Sequence, residues 1–167
     1  MSDQAQDGLI LLSEHFTNSP AFQELFRDGM DLVEETAAYL DGDGRIEAKA
    51  LERAVGLTYA TESMRLTTRL MQLASWLLLH RAVREGEMTL NQANREKTKV
   101  RLTAAEPGAA DLITRLPERL QQLITRSMEL QTKVRRLDAT MHAERKDDVA
   151  GNPLMPQLDR LRAAFEN

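Results

Sequence analysis

The residues of this chain that most often carry chemistry are its three histidines, and they form no recognisable catalytic motif. His15, His80 and His142 are far apart, and none has a second histidine at the spacing that brings two metal ligands onto one helical face. The chain has no cysteine, which excludes thiolate ligands and cysteine nucleophiles. It also has no Gly-rich phosphate loop, nucleophile elbow or HExxH run. We therefore predict a protein that is not an enzyme, with no catalytic residue, no cofactor and no metal site.

The acidic turn Asp41-Gly42-Asp43-Gly44 resembles the middle of a calcium-binding EF-hand loop. Aligning Gly44 with the invariant glycine of that loop places Tyr39 at the first ligand position and Ala50 at the last. An EF-hand needs oxygen ligands at both positions, including a bidentate glutamate at the last one. The turn is therefore interpreted as a polar connection between two helices.

The composition favours a single soluble helical domain. The chain has 167 residues, of which 42% are hydrophobic, 29% charged and only 4% aromatic. The net charge of −4 argues against general binding to nucleic-acid backbones. The longest apolar run near the start is Leu9–Leu12, which is too short for a secretory signal or a membrane span. These features predict a cytoplasmic protein that binds neither membranes nor nucleic acids.

The periodicity of apolar residues predicts three long helices. Ser19 and Pro20 are a favourable helix start, and the first helix should end at Asp41–Gly44. A second helix of roughly 40 residues should run from Ile46 to Glu85, with Gly86 ending it. Thr89 and Gln92 have the spacing of a capping box and predict a short extra helix that reaches about Lys99.

The last long helix is predicted from Leu112 or Pro117 to Arg145, after a loop over residues 103–111. Its apolar positions recur in steps of four and three, as in a heptad seam. They are Leu116, Leu120, Leu123, Ser127, Leu130, Val134, Leu137 and Met141, with Ser127 as the one polar member. The predicted fold is all-α: an antiparallel three-helix bundle over residues 19–145 with a long central helix and one short extra helix. A flexible N-terminal arm, residues 1–18, and a flexible C-terminal tail, residues 146–167, complete the chain.

The central helix has an unusual distribution of side chains around its axis. One narrow stripe of leucines is predicted to form the core of the bundle: Leu66, Leu70, Leu73 and Leu77. Four neighbouring residues widen this predicted core face: Thr67, Met71, Ala74 and Leu78. The opposite side carries Arg65, Arg69, Gln72, Trp76 and Leu79. A helix with one packed face would expose only polar groups there, so we predict a protein-binding or dimer surface. The alternative is that Trp76 packs beneath the short helix at residues 89–99.

The predicted tail contains a small amphipathic segment. Its apolar residues fall on one side of a helix and are interpreted as a site of tail interaction: Leu154, Leu158, Leu161 and Phe165. Such a segment can fold onto a groove of a partner when it binds.

Three runs of this sequence resemble the alphaproteobacterial regulator of CtrA degradation (RcdA) family. They are ATESMRLTTRLMQLASWLLLHRAV in the central helix, YLDGDGR before it and LNQANREKTKVRL after it. A weaker resemblance extends to SPAFQELFRDGMDLVEETAAYL in the first helix, so that the similar region covers roughly residues 16–140.

This resemblance implies an adaptor for regulated, cell-cycle-linked proteolysis. Members of the family are described as helical bundles that dimerise and that help deliver CtrA and other substrates to the ClpXP protease. The implied partners are proteins: the protease, other adaptors or response regulators, a cyclic-di-GMP-binding protein and the substrates.

Two alternatives follow from the residues themselves. A DNA-associated helical regulator could use two basic clusters, one at Arg95, Lys97, Lys99 and Arg101 and the other at Lys133, Arg135 and Arg136. A purely structural helical dimer would bind only its own copy. Retention on DNA that weakens with salt distinguishes the first alternative, and solution mass combined with a pull-down distinguishes the second.

Overall fold

The computed structural model describes residues 19–97, 99, 110–150 and 155–165, and every regular element in these ranges is a helix. In chain order they are α1 (Pro20–Asp41), α2 (Asp43–Lys49), α3 (Arg53–Arg84), α4 (Leu90–Lys97), α5 (Ala110–Ile113), α6 (Glu118–Ala150) and α7 (Met155–Phe165). The three long helices α1, α3 and α6 pack against one another around one core. The predicted all-α three-helix bundle with a short extra helix is confirmed.

Helix α1 begins and ends where its sequence predicts. The hydroxyl of Ser19 accepts a hydrogen bond from the backbone N–H of Phe22 at 3.3 Å, and Pro20 occupies the first turn. The cap satisfies one of the N–H groups that a helix start leaves without a partner. The helix ends at Asp41, beside the acidic turn.

The predicted second helix is divided in two, which corrects the expectation of one continuous element. The backbone N–H groups of Ala50 and Leu51 donate to carbonyls three residues earlier, at 3.2 and 3.3 Å, and form a tight turn between α2 and α3. Tyr39 donates its hydroxyl proton to Glu47, which ties α2 to the end of α1. The residues around this break have ordinary helix-forming character, so the sequence pattern does not predict it.

Both signals that end α3 and start α4 are confirmed. Gly86 adopts a left-handed backbone conformation with φ of 73°, just after the last turn of α3. Thr89 and Gln92 form the predicted reciprocal capping box, with N–H to side-chain distances of 3.0 and 3.2 Å. Helix α4 ends at Lys97, slightly before the predicted end.

The heptad seam of α6 is confirmed as a packing surface. Its first six members are buried, including Ser127, while Leu137 and Met141 pack at the edge of the core. The helix continues to Ala150, so the predicted domain boundary after residue 145 falls inside a helix. The amphipathic segment beyond it contains helix α7. The predicted N-terminal arm lies outside the described residues.

The directions of the long helices differ in one respect from a fully antiparallel bundle. Arg115 pairs with Glu52 at 2.7 Å where α3 and α6 both begin, and Arg69 meets Ser127 in their middle. Helix α6 therefore runs parallel to α3, and α1 runs antiparallel to both. Helix α5, which comes just before α6, contacts α3, so that α6 starts beside the start of α3.

Candidate protein-interaction surface

The face of α3 that the sequence singled out as a surface lies largely inside the bundle. Trp76 is only 2% exposed and Arg69 only 7%. Arg65, Gln72 and Leu79 are half-buried at the edge of this face. The prediction of a surface is therefore corrected for Trp76 and Arg69, because α4 and α6 cover this side of α3.

Trp76 packs beneath the short helix, as the alternative interpretation had it. Its indole N–H donates to Oδ1 of Asp138 on α6 at 3.0 Å. The same oxygen accepts from Nζ of Lys97 on α4 at 3.1 Å, and that ammonium lies 5.5 Å from the centre of the indole ring. One carboxylate thus joins three helices around the aromatic ring.

His80 packs against Trp76 and is completely buried. Its ring centre is 4.1 Å from that of Trp76 and 6.4 Å from that of Phe22. Neither ring nitrogen has a hydrogen-bond partner among the described groups. Burial, reinforced by the nearby ammonium of Lys97, lowers the pKa of His80 to about 3, although Asp138 acts in the opposite direction. His80 is thus a neutral core residue at ordinary pH.

Ser127, the polar member of the α6 seam, is the hydrogen-bond partner of Arg69 on α3. The guanidinium of Arg69 donates to the hydroxyl of Ser127 at 2.8 Å, and Ser127 donates in turn to the carbonyl of Ile124 at 2.7 Å. The buried carboxylate of Glu62 pairs with Arg65 at 2.9 Å. Burial lowers the pKa of Arg69, and the negative charge of Glu62 raises it. The buried charged groups of this part of α3, Glu62 and Arg69, therefore face inward, and Arg69 connects the helix to α6.

The outward side of α3, by contrast, is apolar. Four large apolar residues spaced seven apart, Leu57, Met64, Met71 and Leu78, are between 51 and 72% exposed. The prediction that Met71, Leu78 and Thr67 lie in the core is corrected, because all three are exposed. The core extends from the leucine stripe toward Arg69 and Trp76, because those residues face α6.

Every exposed residue of α3 from Leu57 to Leu78 is uncharged. These residues, named here the outer stripe, are Leu57, Ala60, Thr61, Met64, Thr67, Thr68, Met71 and Leu78. The hydroxyls of Thr61 and Thr67 donate to carbonyls one turn earlier, at 3.0 and 2.8 Å. Because two of its three threonine hydroxyls are satisfied within the helix, the outer stripe is largely apolar over about 32 Å of helix length. A contiguous exposed apolar surface of this kind is uncommon on monomeric soluble proteins.

Acidic residues lie beside both basic clusters on which a DNA-associated regulator would depend. The side chain of Lys97 is only 9% exposed and is paired with Asp138. Arg101 lies outside the described residues. Lys133 and Arg136 line a groove that also contains the acidic residues Glu24 and Asp28.

The acidic turn is engaged in ion pairs at the end of the bundle. Asp41 lies 3.5 Å from Arg45, and Asp43 lies 3.1 Å from Arg119 on α6. Within the described ranges, histidines and carboxylates form no group of three that could hold a metal ion. None of the described helices is both long enough and apolar enough to cross a lipid bilayer.

The predicted tail-interaction residues are only partly described. Leu161 on α7 is 56% exposed. Leu158 and Phe165 belong to the same helix, while Leu154 precedes it and lies outside the described residues. The interaction assigned to this segment stays a prediction.

Comparison with known proteins gives a consistent assignment. The family profile described as "Protein of unknown function (DUF1465)" matches residues 13–165. The crystal structure of RcdA from Caulobacter crescentus CB15 is similar, with 51% sequence identity and a TM-score of 0.63, over 77% of this chain and 96% of that one. No curated protein matches the chain. Since the similarity extends along most of both chains at high identity, this chain belongs to the RcdA family.

Proposed function

We propose that this chain is a non-enzymatic, cytoplasmic adaptor in regulated, cell-cycle-linked proteolysis, which helps deliver CtrA-type substrates to the ClpXP protease. Its partners are the protease, other adaptors or response regulators, and the substrate proteins. Membership of the RcdA family supports this role. The observation that carries it is the inverted polarity of α3, which buries charged side chains and exposes an apolar stripe.

An adaptor acts through surfaces, and the outer stripe is the best candidate for association with a second copy of the chain. An uncharged surface can meet an identical one without repulsion between like charges, as a two-fold symmetric dimer requires. The seven-residue spacing of its large side chains suits coiled-coil packing of two helices. Alanine and threonine between them permit a close approach. Arg65, Gln72 and Leu79 border this stripe and are proposed as its polar and apolar rim.

The second surface of the proposed adaptor is the segment that contains α7. Its described side chains are exposed, including Leu161, Arg160 and Arg162. An amphipathic helix with exposed leucine can bind a hydrophobic groove of another protein. Leu154, Leu158 and Phe165 are proposed to join Leu161 in that contact.

Reconstituted degradation tests the adaptor role. Adding the purified chain to ClpXP, a CtrA-type substrate and the accompanying response regulator should increase the rate of substrate loss several-fold. Removal of residues 155–167 should reduce this increase while the bundle stays folded, as judged by helical circular dichroism. Unchanged substrate loss on addition of the full chain, together with no capture of any of these components in a pull-down, would exclude the adaptor role.

A further inference from the structure

A groove lies between α1 and the last turns of α3, away from the outer stripe. Its volume is about 540 Å³, and it is lined by Phe22, Gln23, Phe26, Arg27, Met30, Asp31, Arg81, Arg84 and Glu85. The floor is apolar, formed by Phe22, Phe26 and Met30, and the rim is rich in arginine. The described residues place three guanidinium groups and two carboxylates around this floor, in a chain whose net charge is −4.

One arginine of the rim is held by the groove itself. The guanidinium of Arg81 stacks 4.9 Å from the centre of the Phe26 ring, and its Nε lies 3.0 Å from Oε1 of Glu85. This stacking makes the apolar floor and the cationic rim continuous. A ligand on this surface would contact both at the same time.

Two other arginines are available to a ligand. Within the part of the chain that the structure describes, no carboxylate lies at ion-pair distance from Arg27 or Arg84. The side-chain oxygen of Gln23, in its hydrogen-bonding orientation, accepts from both terminal nitrogens of Arg84, at 3.2 and 2.6 Å. Gln23 thus holds Arg84 at the groove without neutralising it. The groove therefore suits a peptide segment that carries carboxylates beside large aliphatic side chains.

Residues 1–18 of the same chain have this composition. They include Asp3, Asp7 and Glu14, no lysine or arginine, and the aliphatic run Leu9–Leu12. They join α1 at Ser19, one turn from Phe22 at the near end of the groove. Leu12 can reach about 23 Å from Ser19 in an extended chain. The groove occupies about 14 Å of α1, so the aliphatic run can reach its whole length.

We propose that the groove between α1 and α3 binds residues 1–18 of its own chain, with Leu9–Leu12 on the Phe26–Met30 floor and acidic side chains at Arg27 and Arg84. A tether this short gives an effective concentration on the order of millimolar, so that modest contacts are sufficient. The segment occupies the groove reversibly, and a partner protein that uses the same surface has to displace it.

Hydrogen exchange in the full-length protein tests this proposal. Backbone amides of residues 9–12 should exchange about ten-fold more slowly than in a synthetic peptide of residues 1–18. The double variant Arg27→Glu/Arg84→Glu should restore the peptide rate, and Arg27→Gln/Arg84→Gln should have a smaller effect. The matched control is Lys133→Glu/Arg136→Glu, which makes the same charge change at a different groove and should leave the slow exchange intact. Helical circular dichroism identifies variants that remain folded.

A charge swap makes the test specific. Adding Asp7→Arg and Glu14→Arg to the Arg27→Glu/Arg84→Glu variant should slow the exchange again, since the charges are complementary once more. Exchange of residues 9–12 at the peptide rate in the unaltered protein would overturn the proposal. Slow exchange that persists in both arginine variants would also overturn it, because it would assign the protection to another surface.

Discussion

The indole nitrogen of Trp76 donates a hydrogen bond to Oδ1 of Asp138 at 3.0 Å, although 62 residues separate the two in the sequence. This bond connects two parallel helices, and the same carboxylate oxygen accepts from Lys97 of the short helix α4. Trp76, the largest side chain of the protein, therefore lies where α3, α4 and α6 meet. The aromatic ring that the sequence predicted on an interaction surface therefore acts as a packing centre.

Replacing Asp138 with alanine should destabilise the protein. It removes the acceptor of the indole N–H and leaves the mostly buried ammonium of Lys97 without this carboxylate. We expect a loss of about 2–3 kcal/mol in the free energy of unfolding, measured by urea denaturation. Trp76 is the only tryptophan, so its fluorescence should also shift to longer wavelength.

The control is Glu129→Ala, which changes an exposed residue on the same helix. It should change the free energy of unfolding by less than about 0.5 kcal/mol. Equal stability of the two variants would contradict the proposed packing role.

Stability should fall as the pH is lowered below the ordinary pKa of histidine. Burial lowers the pKa of His80 from 6.5 to about 3, so the unfolded chain takes up a proton in this interval and the folded chain does not. The contribution is complete above pH 6.5 and is lost progressively as the pH falls toward 3. From pH 7 to pH 5 this amounts to about 2 kcal/mol.

The variant His80→Phe isolates that contribution. It keeps a planar ring beside Trp76 and Phe22 but cannot be protonated. The unfolding free energy of both proteins is measured in urea at pH 7 and at pH 5. The loss between these two pH values should be about 2 kcal/mol smaller in the variant than in the unaltered protein. The same decrease in both proteins would mean that His80 is not buried as the structure has it.

Two glycines should respond oppositely to alanine substitution. A Cβ at Gly44 would lie 2.6 Å from the hydroxyl oxygen of Tyr59 and 2.7 Å from the carbonyl oxygen of Tyr39. Gly44→Ala should therefore destabilise the turn between α1 and α2 by about 1–3 kcal/mol. A Cβ at Gly56 on α3 would meet nothing within 4 Å, and Gly56→Ala should stabilise the helix by up to about 1 kcal/mol. Thermal denaturation of the pair measures both effects, and a stabilising Gly44→Ala would refute the tight turn.

Charges placed on the outer stripe should separate association from folding. Met64→Glu/Met71→Glu alters two exposed residues, so the bundle should keep its stability while its solution mass falls from dimer to monomer in sedimentation equilibrium. Thr125→Glu/Thr132→Glu puts two charges with the same spacing on exposed positions of α6 and should keep the dimer. A monomeric unaltered protein would exclude the stripe as a dimer interface. Equal effects of the two variants would assign the interface elsewhere.

Features that depend on neighbouring residues could be predicted from the sequence. The cap at Ser19, the left-handed Gly86 and the reciprocal bonds of Thr89 and Gln92 involve residues within four positions of one another. The seam of α6 also follows from a local repeat, because helical periodicity decides which side chains share a face. Residues that resemble the RcdA family pointed to the family that the comparisons support.

The interruption at Ala50–Glu52 and the direction of α6 could not be predicted in this way. The first is a tight turn in which Ala50 and Leu51 donate to carbonyls three residues earlier, and neither Gly nor Pro marks it in the sequence. The second is defined by contacts distant in sequence, such as the ion pair between Arg115 and Glu52. Helix propensity is similar on both sides of the interruption, and a helix pattern is the same whichever direction its neighbour runs.

The sequence by itself determined that this chain is helical, where several of its helices start and stop, and which leucines of α3 form the centre of its buried face. Only the tertiary structure decided which flank of that leucine stripe is covered. Two flanks were available, a polar one with Arg69 and Trp76 and an apolar one with Met71 and Leu78. Ser127 and Asp138 on α6 supply partners for the guanidinium and the indole, so the polar flank is buried and the apolar flank remains at the surface. Those partners lie about 60 residues away, beyond the reach of any local pattern.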